Sequence, residues 1–173
     1  MKVMALVVAA ATTVSAGCAP PMAALHAFAV DGNAAFDPAL GGSWTSGNDE
    51  PILIRMDGAG YRITFFEKNR STTFRARLLR IGNAEILDMT CEPPSGFMLS
   101  AHLPVRIWIE GDTLRFALLD TAWIKDLVRR ELAWEEEAGL VITAPGDQVA
   151  RFLEAYGGDE RAYEHVDTLE RVR

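Results

Sequence analysis

LPVRIWIEGDTLRFALLD, residues 103–120, is the stretch whose reading decides the fold. Val105, Ile107 and Ile109 alternate with polar or bulky partners, and Leu114, Phe116 and Leu118 do the same after a short polar turn at Glu110, Gly111 and Asp112. A period of two on each side of a glycine-bearing turn predicts an antiparallel hairpin in which the two apolar sets face each other across the sheet.

The same period extends upstream. PILIRMD (51–57) puts Ile52, Ile54 and Met56 on one side, and YRITFFE (61–67) puts Tyr61, Ile63 and Phe65 there after the GAG turn. TFRARLLRI (73–81) presents Phe74, Ala76 and Leu78, and EILDMTC (85–91) presents Leu87 and Met89. Half-buried strands joined by short turns predict an antiparallel meander. Downstream, Asp120 or Thr121 caps a helix carrying Trp123, Ile124, Leu127, Val128 and Leu132 at helical spacing. A further hairpin, LAWEEEAGLVITA, turns at Gly139, and a second helix begins near Pro145, with Val149, Phe152, Leu153 and Tyr156 on one face and Gly157 as its stop.

Every strand then has one apolar and one polar face, so the sheet must curl on itself or be covered. Eight or so meandering strands close most easily into a small barrel, which also removes sticky edges. The expected fold is therefore mainly β: a closed or nearly closed antiparallel barrel, with one helix inserted before the last hairpin and another after it, plugging or flanking the barrel.

The chain has 173 residues and a net charge of −7, which removal of Lys2 takes to −8. Its arginines are spread singly rather than gathered into a basic footprint, which argues against nucleic acid as a partner. His26, His102 and His165 lack the paired spacing of a zinc site, and no phosphate-cradling glycine loop is present, so no metal or cofactor is expected. Glu110, Asp112 and Asp120 sit where hairpin turns and helix caps use acids anyway. A hydrolase triad can be written from Ser100 and His102 with Asp88 or Asp120, but no nucleophile elbow or oxyanion glycine run accompanies it, and no catalytic residue is assigned.

The first residues, MKVMALVVAAATTVSAGCAPP, have one cation, then about a dozen apolar or small residues, then a small-residue pattern ending at Cys18. That is the layout of a secretory signal, too short to span a bilayer, where ~20 apolar residues are needed. Ser15, Ala16, Gly17 and Cys18 resemble the lipobox of bacterial lipoproteins, with Ser15 at the position where leucine is most often found. The resemblance implies cleavage before Cys18, acylation of its sulfur, and a membrane-anchored mature chain. Ala19 is not the aspartate that commonly retains such proteins at the inner membrane, which implies the outer membrane facing the periplasm. Each buried methylene of such an anchor contributes roughly 0.8 kcal/mol, so two or more chains hold a protein almost permanently. The alternative for an exported chain with two cysteines is a disulfide from Cys18 to Cys91.

The expected organisation is a signal peptide over 1–17, a lipidated tether over 18–36, a barrel domain with helices over 37–158, and a charged, weakly helical tail over 159–173. At the head of the barrel domain, Asp37 caps a short turn that starts at Pro38 and ends at Gly41 and Gly42, and Trp44 follows. Gly42, Ser43 and Trp44 resemble the Gly-Xaa-Trp signature of lipocalins and other calycins. In that family the tryptophan closes one end of the barrel beneath an arginine from a late strand; Arg106 and Arg115 are the candidates here.

The resemblance implies a binding barrel. Its expected lining is Trp44, Ile54, Ile63, Phe65, Phe74, Leu87, Ile107 and Phe116, with Met56 and Leu114 beside them, all uncharged, so the ligand would be an apolar small molecule or lipid. Barrels of ~8 strands are barely wide enough for their own side chains, so the same residues also describe a filled interior. In that case the protein would act as an envelope adaptor, binding a protein partner through surface residues such as Phe66 and Trp108.

Overall fold

The computed structural model describes residues 22–29, 32–47, 50–92, 100–136, 140–163 and 165–173. Eight strands form a closed antiparallel barrel. β3 (Gly42–Thr45), β4 (Pro51–Asp57), β5 (Gly60–Glu67), β6 (Arg70–Ile81), β7 (Ala84–Cys91), β8 (His102–Glu110) and β9 (Thr113–Leu118) run as a meander. β12 (Asp167–Arg171) pairs with both β9 and β3 and closes the ring. The hairpin of residues 103–118 has the expected register, with Val105 opposite Leu118, Ile107 opposite Phe116 and Ile109 opposite Leu114. Two-residue turns need a left-handed first residue to match strand twist, and Gly58 and Gly111 supply it at φ +61° and +63°.

Two of the barrel's strands are not the ones the periodicity offers. The hairpin β10 (Trp134–Glu136) and β11 (Leu140–Ile142) stands outside the ring, reached through β1 (Ala23–Ala24), which pairs with β8 at Ala24 and His102. The turn expected at Gly139 lies outside the described residues. The closing places belong to β3 and to β12, in the segment expected to be a weakly helical tail. That segment instead forms a 3-10 turn, Glu160–Ala162, followed by the strand. The span expected to be a tether is docked from Met22 onward: Met22, Ala24 and Phe28 are buried, and β2 (Ala34–Ala35) pairs with β6.

The alternation builds two cores. Inside the barrel, Trp44, Ile54, Tyr61, Ile63, Phe65, Phe74, Leu78, Leu87, Ile107 and Leu114 form one contiguous cluster. Met56 carries the right phase but lies at the rim, 58% exposed, where β4 runs past the barrel end. On the outside, β6, β7 and β9 turn a second apolar set outward, including Leu79, Ile81, Ile86 and Ala117, so these strands are apolar on both faces over part of their length. α1 (Thr121–Glu131) covers that face with Ile124 and Val128, and α2 (Gly146–Tyr156) covers it with Val149, Phe152 and Leu153. The helices flank the barrel rather than plug it. Among the described residues no helix is long and apolar enough to cross a membrane; residues 1–17, expected to be a signal peptide, and Cys18 lie outside them.

Candidate functional site

Two places on the barrel carry organised polar chemistry: the end sealed by Trp44, and a groove on the outer wall.

At the sealed end, Asp37 Oδ1 accepts from the Ala39 amide at 2.8 Å and starts the 3-10 turn Pro38–Leu40, which lays Leu40 and Trp44 across the barrel. Trp44 is fully buried and its indole N–H donates to the Leu40 carbonyl at 3.1 Å. The guanidinium over its ring belongs to Arg171 of β12, 4.2 Å from the ring centroid. Arg171 also donates to the Gly41 carbonyl at 2.8 Å and to that of Ala39. Gly42 has φ +146°, and a Cβ there would collide with the same guanidinium. Neither arginine expected from the sequence fills this role. Arg106 and Arg115 lie outside the barrel, 4.9 Å and 5.4 Å from the Trp108 ring. Asp112 bonds Arg173 at 2.7 Å and faces Arg171 at 3.4 Å, and the Arg173 bond holds its carboxyl below the usual range.

The expected lining residues are brought together. Trp44, Ile54, Ile63, Phe65, Phe74, Leu87 and Ile107 are buried in the interior cluster, and Phe116 is packed against it, half-buried. The strand directions put Cys91, at the end of β7, and Leu118, at the end of β9, on the side of the barrel away from Trp44, and both are only partly buried. Burial raises the Cys91 thiol above its usual range, with the neighbouring Glu92 adding to it. One charge also faces inward here. Asp167 stands directly opposite Phe116, its Oδ2 is buried with no hydrogen-bond partner among the described residues, and burial pushes its carboxyl up.

The proposed adaptor patch does not form as expected. Phe66 is exposed, but Trp108 is half-buried between two guanidinium groups and edge-on to Tyr163 at 6.0 Å.

On the outer wall, β6, β7 and β8 line a groove of about 500 Å3 with Ala27, the β4–β5 turn and Ser100 at its edges. Asp88 is buried there and bonds His102 Nδ1 at 2.7 Å; Thr90 Oγ1 approaches the same nitrogen at 3.3 Å. A buried carboxylate can only accept, so it fixes the proton on Nδ1 and leaves Nε2 for another partner. Of the two acids written into the triad, Asp88 therefore pairs with His102, and Asp120 caps α1 at the Ala122 amide, 2.8 Å away. Ser100 lines the groove without a hydrogen bond to His102 among the described residues. Sequence reading missed Arg75 and Arg77 as groove residues, since outward strand arginines carry no distinguishing pattern. No family model, no curated protein and no solved structure matches the chain.

Proposed function

We propose that the chain is a lipoprotein of a bacterial envelope, anchored through an acylated Cys18 on the outer membrane facing the periplasm, and that its calycin-like barrel binds an apolar small molecule or lipid chain. The observation that carries the binding reading is the asymmetry of the barrel. One end is sealed by Trp44 under Arg171, while Cys91, Phe116 and Leu118 remain incompletely buried toward the other. An apolar guest entering there would gain about 25 cal/mol for each Å2 it removes from water. Four residue steps separate Cys18 from the docked Met22, a reach of at most ~14 Å, so the anchor would hold the barrel against the lipid surface.

Intact mass of material purified from cells tests the anchor: a diacylated Cys18 is expected, and a free thiol or a bond to Cys91 overturns it. A fluorescent polyene fatty acid tests the pocket. Saturable one-to-one binding is expected, lost in Ile107→Trp, which fills the interior; failure of the parent protein to bind overturns the carrier reading. That failure would favour the adaptor, for which the specific observation is that the interior side chains already contact one another at near-zero exposure.

A further inference from the structure

The outer-wall groove contains a cation whose natural partner has been taken away. On β5 and β6 the other outward arginines are matched, Arg62 with Asp57 at 3.2 Å and Arg75 with Glu92 at 2.7 Å, and Arg80, on the opposite phase near the strand end, meets Glu85 at 2.9 Å. Arg77 is the exception in this row. Its register partner on β7 is Asp88, but that carboxylate is buried and committed to His102. Arg77 has no hydrogen bond or ion pair among the described residues, and it lines the groove rather than a convex surface. Around it stand groups that can donate to an anion: the hydroxyls of Thr90 and Ser100, and the His102 ring, which with its Nδ1–H given to Asp88 accepts at Nε2 when neutral and donates from Nε2 as the imidazolium. The remaining wall is formed by Ala27, Ala59, Gly60, Tyr61 and Ala76, with one further carboxylate, Asp57, which is engaged by Arg62 at 3.2 Å.

A guanidinium recognises planar or tetrahedral oxyanions through paired N–H donors. We propose that this groove is a binding site, separate from the barrel interior, for a small molecule that carries a carboxylate or phosphate group on a short apolar body. Arg77 holds the oxyanion, the hydroxyls and the His102 imidazolium complete its hydrogen bonds, and the Asp88 carboxylate positions His102. The volume suits such a ligand and the site needs no movement of the barrel wall.

The test is a titration of the full chain with inorganic phosphate, butyl phosphate and pentanoate, followed by thermal shift and by the NMR signals of the His102 ring. Saturable binding of butyl phosphate or pentanoate is expected, with perturbation of the His102 ring. A preference for one over the other identifies the anion, and either preference supports the site. Arg77→Gln should weaken binding at least about tenfold, since a charged pair of hydrogen bonds is lost. It should leave the unliganded protein as stable as before, because Arg77 has no partner to lose. Arg55→Gln, on β4 two strands away and outside the groove, should change nothing, and Ala59→Trp should block binding by filling the groove. Equal weakening by Arg55→Gln, which would reveal diffuse attraction only, overturns the proposal, as does absence of saturation with all three probes. Ile107→Trp, which tests the barrel, should leave this binding intact, so the two sites fail independently.

Discussion

Replacing Arg171 with Met removes the guanidinium while keeping most of the side-chain length, and it isolates the clamp that joins the last strand to the first. Four interactions are lost: the stack on Trp44 at 4.2 Å, the donations to the carbonyls of Gly41 and Ala39, and the half-exposed ion pair with Asp112 at 3.4 Å, which adds little. A stacked cation contributes about 1–2 kcal/mol when largely desolvated, and hydrogen bonds from a charged donor about 1.5–3 kcal/mol each. Arg171 keeps 24% of its side-chain surface exposed, so water replaces part of what is removed. The net cost should be about 3 kcal/mol, which for a chain of this size lowers Tm by about 6–12 °C. Urea titration followed by tryptophan fluorescence and circular dichroism measures it. In a double-mutant cycle with Trp44→Phe, the coupling between the two positions should reach about 1 kcal/mol or more. A loss under ~0.5 kcal/mol in Arg171→Met, or strict additivity in the cycle, would refute the reasoning.

Gly42→Ala attacks the same clamp from below, because φ +146° disfavours a side chain and the new Cβ strikes the guanidinium; a loss of about 2 kcal/mol by thermal denaturation is expected. His102→Ala strands the Asp88 carboxylate, whose side chain is 3% exposed, and should cost about 3 kcal/mol, while His102→Gln, which can still donate, should cost less; both are read by urea midpoint. At the barrel end away from Trp44, burial raises the Asp167 carboxyl, so the folded state holds a proton more tightly than the unfolded chain. Stability should therefore fall as pH rises from the ordinary carboxylate range through the raised value. Asp167→Asn should be more stable than the parent at neutral pH, with the difference closing toward about pH 3 when melts are compared across pH.

The meander was legible because its inward positions are filled by apolar residues and its turns carry glycine or, between β5 and β6, the polar pair Lys68 and Asn69. The closing strand was not, for a definable reason. β12 presents Asp167, Leu169 and Arg171 to the barrel, so two of its three inward positions are ionisable and the period of two vanishes in any hydropathy reading. Val166, Leu169 and Val172 then suggest a weak helical spacing instead. The Gly-Xaa-Trp signature pointed to an arginine from a late strand, but the strand that supplies it had not been recognised, so the choice fell on Arg106 and Arg115. The outer groove was hidden for another reason: Asp88 and His102 are fourteen residues apart and meet only because β7 and β8 pair with Thr90 opposite His102. Ser100 and His102 could be placed on one side of a strand from sequence, whereas the acid could not be chosen until pairing was known.

The sheet's centre, β8, ties these features together. Its inner face gives Leu103, Val105 and Ile107 to the barrel, while its outer face sets Arg106 beneath the helical layer. The buried guanidinium of Arg106 stacks near Trp108 and Tyr163 and donates to the Gly157 carbonyl, which the Tyr163 hydroxyl also reaches at 2.8 Å. A buried cation adds little stability compared with an apolar residue of the same shape, but it strongly penalises any arrangement that leaves it unpaired. α2 therefore cannot slide along the barrel without stranding that charge. The first residue of α2, Gly146, lies so close to the Ala27 carbonyl that a Cβ would collide with it, so fixing the helix also fixes Ala27. Ala27 is a wall of the groove facing Arg77 and His102. The wall of that groove is thus tied to a charge buried at the other end of α2, and a side chain at Gly146 would displace the wall while leaving the barrel closed.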